Sequence, residues 1–391
     1  MISRVAARCG RVFEQLAVRP IAQYGSAMLR IGYGLTYLVF LLREFPNREE
    51  LWGPRAAWTP ILDHQFAAST NWYGWIKSWY TLLATTNDTR FELSYAFALL
   101  VCAAMTLGWR TRLTSCAFML VVTTFTGRDA FLGDGGDNVL LLMSIYLVFL
   151  ASGRRVSLDS RRLARRAAAG HEPSGLAASV NAATARMLGA AGAELAEVRR
   201  RVVTLTHNAA ILVIGFQMCV IYGAAALWKA QGAVWENGTA IYYVLHTDWF
   251  RVWPGLSDEV AGNSTMIAIV AYVTVFAQVG FPFAIFSKRL KYVLLAVLLG
   301  MHLSIAVLLG IPVFSVVMII GDSVFLPDAF WLAAGRIARR APSQLRTLRS
   351  QAPRLATRAP AASRDGAAVG SAEAPEPAGV LRVAETPAVP T

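Results

Sequence analysis

Eight apolar runs, each close to the roughly 20 residues that a helix needs to cross bilayer hydrocarbon, dominate this 391-residue sequence. They start near Tyr24, Phe91, Leu113, Asn138, Leu205, Ser264, Tyr292 and Pro312. In hydrocarbon every backbone polar group must be satisfied internally, so such runs are expected to fold as an all-α bundle of about eight transmembrane helices. Composition agrees, with 55% of residues hydrophobic and 16% charged, where soluble domains carry about 25% charge. The first run, Tyr24 to Leu42, is too long for a signal-peptide core and lacks a small-residue cleavage site after it, so it is expected to stay as a span. The third and fourth runs are the shortest, ending near Thr126 and Ala151.

Positive charge divides between alternate loops. One set (1–23, 108–112, 152–204, 287–291 and 333–391) holds 28 Lys and Arg; the other (43–90, 127–136 and 231–263) holds 7. The positive-inside rule then puts both termini in the cytoplasm. Arg outnumbers Lys 33 to 4 and Ala is abundant, the bias of a GC-rich bacterial genome, which points to the bacterial inner membrane. The net charge of +13 is thereby accounted for by topology, so a nucleic-acid partner is not expected and the bilayer is. Arg-rich stretches such as Arg161-Arg162 and Arg199-Arg200-Arg201 are expected to lie against anionic lipid.

Residues 1–23 read as a basic cytoplasmic N-terminus, 24–332 as the membrane domain with a cytoplasmic linker at 152–204, and 333–391 as a cytoplasmic tail. The tail has 16 Ala, 7 Pro and no aromatic residue in 59 positions, too little to bury a core, and is expected to be disordered. The outer loops are rich in Trp: Trp52, Trp58, Trp72, Trp75 and Trp79 in the first, Trp235, Trp249 and Trp253 in the last. These tryptophans fit an interfacial belt or a lid over an outward-facing cavity. Asn87, Asn237 and Asn263 stand in Asn-x-Thr sequons, a pattern short enough to arise by chance. The four cysteines show no metal-ligand spacing.

Ionisable residues inside apolar runs need an account. Arg30, six residues into the first span, is expected to snorkel to the cytoplasmic phosphates. Lys229 ends the fifth span on the outer side, where a topological lysine is out of place; it reads either as a snorkelling helix end or as a partly desolvated general base. Asp134-Gly-Gly-Asp137-Asn138 precedes the fourth span on the same side. Its glycines suit a tight turn, Asp137 suits a helix N-cap, and a carboxylate there could pair with Lys229. His302 and Asp322 fall near the midplane of the last two spans, joined by the Gly310-Ile-Pro312 turn. A direct hydrogen bond would satisfy both, and a proton relay or a contact to a quinone head is the functional alternative.

From about residue 20 to 332 the chain resembles the horizontally transferred transmembrane (HTTM) family. That family includes the membrane domain of vitamin K-dependent gamma-carboxylases and export proteins for a sporulation-delaying peptide. The likeness is carried by Leu29-Arg30-Ile31, Gly108-Trp109-Arg110, Phe131 through Asn138, Tyr222 through Lys229 with Trp235 and Gly238, and His302. It implies that Lys229 stands where a carboxylase lysine deprotonates vitamin K hydroquinone, so the cofactor expected from the likeness is a menaquinol or vitamin K-like hydroquinone. Two departures point away from glutamate carboxylation: Asp137-Asn138 replaces an Asn-Asn-His segment, and the tail does not resemble the carboxylases' soluble region. The candidate catalytic residues are Lys229, Asp137, Asn138 and His302, acting on a small lipid-soluble or peptide substrate. The alternative implied by the export relatives is a non-catalytic export, maturation or immunity factor for a secreted peptide.

Overall fold

A computed structural model describes residue 10 and residues 14–71, 73–128, 133–169 and 189–338, without the side chains of 190 and 191. Trp72, Phe131 and the tail beyond 338 lie outside these, so the expectation of a disordered tail does too. All regular structure among the described residues is helical. The long elements are α1 (Gln23–Arg43), α5 (Asp88–Leu107), α6 (Thr111–Arg128), α7 (Gly135–Phe149), α9 (Ala190–Ala230), α13 (Ser264–Ala284), α14 (Lys288–Leu308) and α15 (Pro312–Asp322). Short helices fill the connections: α2 (Arg48–Leu51), α3 (Pro60–Ser69) and α4 (Gly74–Tyr80) in the first long loop, and α8 (Leu158–Ala168) before α9. The last long loop holds α10 (Ala233–Glu236), α11 (Ala240–Leu245) and α12 (Pro254–Ala261), and α16 (Asp328–Ala338) follows α15.

Five of these helices are long and apolar enough to cross a membrane: α1, α5, α9, α13 and α14. The run expected as the eighth span is broken. Its helical part, Pro312–Phe325, meets α16 at 116°, because Pro327 has no N–H to continue the ladder and disfavours helix in the residue before it. Asp328, just past the break, accepts hydrogen bonds from the free backbone N–H groups of Gln23 (3.2 Å) and Tyr24 (2.8 Å) at the start of α1. α7 has 15 residues, about 22 Å of helix, short of the roughly 30 Å of hydrocarbon. α9 runs unbroken for 41 residues, about 60 Å, so the fifth apolar run is the second part of a much longer helix.

The halves on either side of the 152–204 linker share one core. Leu29, Tyr33 and Phe118 of the first half and Ile214, Met218 and Phe281 of the second belong to a single buried cluster, and α15 packs against both α1 and α7. Capping explains several boundaries. Asn87 and Asn263, two of the sequon asparagines, are N-caps whose side chains accept from Arg90 N–H (2.9 Å) and Met266 N–H (3.0 Å). At the start of α7 the cap is Asp134 rather than Asp137. Asp134 accepts from Gly136 N–H at 2.6 Å, and Asp137 reaches back to Asp134 N–H at 2.7 Å, so the capping box uses both carboxylates.

Arg30 does not snorkel. Its side chain is fully buried and donates to the carbonyls of Met105 (2.5 Å) and Thr106 (2.8 Å) at the end of α5 and to Val156 (2.6 Å) before α8. The last carbonyls of a helix have no partner within it, and a guanidinium a few ångströms away satisfies them more directly than distant lipid phosphates. Gly108 closes α5 in the left-handed conformation (φ +71°), and a Cβ there would lie 2.7 Å from Arg30 Nη1. The Leu29-Arg30-Ile31 and Gly108-Trp109-Arg110 stretches thus meet as one structural lock.

The two Trp-rich loops play different parts. In the first, Trp52 is buried among Phe40, Tyr95 and Phe125, and Trp58 donates to the buried carboxylate of Asp63 at 3.0 Å. Trp52 is a core residue and Trp58 a half-buried one, whereas Trp75 and Trp249 are well exposed. Burial pushes the Asp63 carboxyl above its ordinary 3.8, opposed by the Trp58 bond and the nearby Arg128. The folded protein therefore holds that proton more tightly than the unfolded chain. The stabilising contribution is complete below the ordinary value and is lost as pH rises through the raised folded value. Unfolding measured across the carboxylate range should show this falling component in the wild type, and Asp63→Asn should remove it.

Candidate functional site

A cavity of about 550 Å³ lies between α9, α11, α13, α14 and α15. Aliphatic side chains make most of its wall, including Ile241, Val244 and Leu245 of α11, so the last long loop covers it. No described residue of the first loop belongs to this lining. Only a few polar groups interrupt the wall, among them Lys229 and Tyr222 from α9, Gln278 from α13 and His302 from α14.

Lys229 is the last charged residue of α9, half-buried, and its Nζ donates to Gln278 Oε1 at 3.0 Å and to the Ala225 carbonyl at 3.5 Å. The Trp235 ring lies 5.5 Å from the same nitrogen, within reach of a cation–π contact. Gln278 is held in turn by a bond from its Nε2 to Met301 Sδ at 3.5 Å. The lysine therefore presents an amine fixed by neutral groups, and its described hydrogen-bond partners include no carboxylate. The expected pairing with an aspartate of the 134–138 segment does not form.

Deeper in the bundle, Tyr222 bridges the two residues expected to bond directly. Its hydroxyl donates to Asp322 Oδ2 at 2.7 Å and lies 3.1 Å from His302 Nε2. A phenol has one proton; with that proton on Asp322, the oxygen accepts from His302 Nε2–H. Nδ1 is then left as a bare acceptor, buried and without a partner among the described residues, as is Asp322 Oδ1. Tyr222→Phe removes this bridge and strands two buried groups. It should lower stability by about 1–3 kcal/mol, visible as a reduced Tm of the detergent-solubilised protein.

Of the four candidate catalytic residues, the structure brings Lys229 and His302 to one cavity and places Asp137 and Asn138 outside its lining. Asp137 is tied into the capping box and borders a separate small void beside Trp52 and Tyr37, while Asn138 is exposed. The Gly-Gly pair has a packing role as well. A Cβ on Gly136 would come within 2.8 Å of Phe314 Cα, so the glycine lets α7 approach α15, whose Phe314 ring lies 5.7 Å from His302. Gln278 was not anticipated, although a lone amide inside an apolar run marks it; Tyr222 stood out only as the start of the Tyr222–Lys229 stretch, and its bridging role was not anticipated. No family model matches this chain, and no similar chain was found among curated proteins or solved structures.

Proposed function

We propose that this is an HTTM-like protein of the bacterial inner membrane that binds a small lipid-soluble molecule with a polar head, a menaquinol or vitamin K-like hydroquinone, and that Lys229 acts on it as a base. On this reading α6 and α7 cross the bilayer with the five longer helices and the bent α15–α16 pair, giving eight spans. Both termini face the cytoplasm, and the cavity lies toward the outer side.

The observation that carries the reading is the cavity itself: apolar walls, a volume within the range of small-molecule sites, and one amine and one unpartnered imidazole nitrogen on its lining residues. Those residues fit an apolar ring and chain with polar oxygens at one end. An extended peptide would instead need many backbone partners, which this wall does not offer. A hydroquinone, when bound, supplies an ionisable hydroxyl and reducing electrons. The chain's own residues then do the following. Lys229 Nζ takes up the proton, Gln278 Oε1 fixes the direction of its N–H, and the Trp235 ring face steadies the charge it acquires. The His302 ring, held through Nε2 by Tyr222, forms part of the wall against which the head group packs. The aliphatic residues of α11 exclude water, which strengthens these contacts.

Photolabelling with an azido-substituted menaquinone analogue tests the site. Labelled peptides should come from α9, α13 and α14, with labelling suppressed by unlabelled menaquinone. Labelling confined to other helices, or unaffected by the competitor, would overturn the assignment.

A further inference from the structure

Basic residues at the opposite end of the bundle form a second feature, which hydroquinone chemistry does not use. Helix α8 carries Arg161, Arg162, Arg165 and Arg166, and with Trp109 and Leu158 they line an open cleft of about 650 Å³. The spacing puts Arg161 above Arg165 and Arg162 above Arg166. None of the four has an ion-pair partner among the described residues. Asp159, the acidic residue on this helix, is turned to the other side. Its two oxygens accept from Arg110 N–H (2.9 Å) and Thr111 N–H (2.8 Å), capping α6.

A neighbouring cleft adds Arg112 and Arg154, which repel one another. Farther along, Arg200 and Arg201 share the carboxylate of Glu197, which offsets part of their charge. The four guanidinium groups of α8 thus carry more uncompensated charge than the Arg200–Arg201 pair. The cleft sits beside the α5–α6 turn, where membrane helices end. Its Trp109 is 48% exposed and Leu158 39% exposed, giving an apolar edge beside four guanidinium groups. Guanidinium forks match phosphate oxygens, and an exposed Trp suits the glycerol level of a leaflet.

We propose that this cleft binds the headgroup phosphate of an anionic phospholipid, with α8 lying in the headgroup layer and Trp109 against the glycerol and upper acyl chain. A free phosphate would have no use for the Trp–Leu edge, and a soluble acidic partner would have to displace the lipids already at this depth.

The test uses the full chain, purified in a neutral detergent and titrated with short-chain phosphatidylglycerol, phosphatidylcholine or inorganic phosphate, with bound lipid counted by native mass spectrometry. Phosphatidylglycerol should be retained at least tenfold better than phosphatidylcholine, and millimolar inorganic phosphate should not displace it. The fourfold variant R161Q/R162Q/R165Q/R166Q should lose that preference, while the fourfold Lys variant should keep most of it. Should the Gln variant fail to fold, the pair R161Q/R165Q replaces it, with at least a threefold loss expected. Equal retention of both lipids, an unchanged preference in the Gln variants, or displacement by inorganic phosphate would each overturn the proposal.

Discussion

Arg30→Met is expected to destabilise the fold by about 3 kcal/mol, a large fraction of what holds a typical domain folded. The guanidinium donates to three carbonyls, those of Met105, Thr106 and Val156; the first also accepts from Gly108 N–H, while the other two lose their partner, and each carbonyl left without one costs about 1–3 kcal/mol. Part of that loss is offset because methionine fills the space without carrying a charge into it. Arg30→Lys should fall between, since one ammonium reaches fewer of the three oxygens. A snorkelling arginine would behave differently, with a change within about 0.5 kcal/mol, as at ordinary surface positions. Thermal or denaturant unfolding in detergent separates the two. Gly108→Ala should also destabilise, because at this left-handed position the new Cβ would meet both Ser157 Cβ (2.5 Å) and Arg30 Nη1 (2.7 Å).

Lys229→Met is expected to leave the fold intact and to lower turnover of a hydroquinone substrate at least 100-fold, the lower end of what a positioned general base contributes. Stability should hold because Lys229 is half-buried and its loss releases a single side-chain partner, Gln278. Methionine keeps the apolar stem that lines the cavity, so KM should change far less than kcat. Lys229→Arg should be as inactive as Met, since a guanidinium does not give up its proton at physiological pH. If KM rises while kcat is retained, Lys229 is a binding residue and the base lies elsewhere.

The long apolar helices were legible in the sequence; which of their faces meet was not. Apolar runs located α1, α5, α9, α13 and α14, and the loop charges separated a basic end from an aromatic one. The same reading placed Lys229, Asp137 and Asn138 at one level, and His302 and Asp322 at another. Yet equal depth does not bring side chains together, because only the packed bundle fixes which helix face meets which. So Lys229 turned to Gln278 instead of a carboxylate, and Tyr222 came between His302 and Asp322. Arg30 shows the same limit. Its position six residues into a run is compatible with lipid phosphate, and only the approach of α5 supplies the carbonyls it takes. The Asp134-Gly-Gly-Asp137 segment was legible as a turn and cap, but its glycines also serve a contact with Phe314, a partner from the far end of the membrane domain.

The most direct test of the central claim is oxygen-dependent epoxide formation from vitamin K hydroquinone or menaquinol, measured in membranes containing the wild type, Lys229→Met or Ala225→Trp. The last substitution fills the cavity beside the lysine without removing it. The account predicts epoxide from the wild type and none above background from either variant at equal expression. Equal epoxide from all three, or none from the wild type with either hydroquinone, would contradict it.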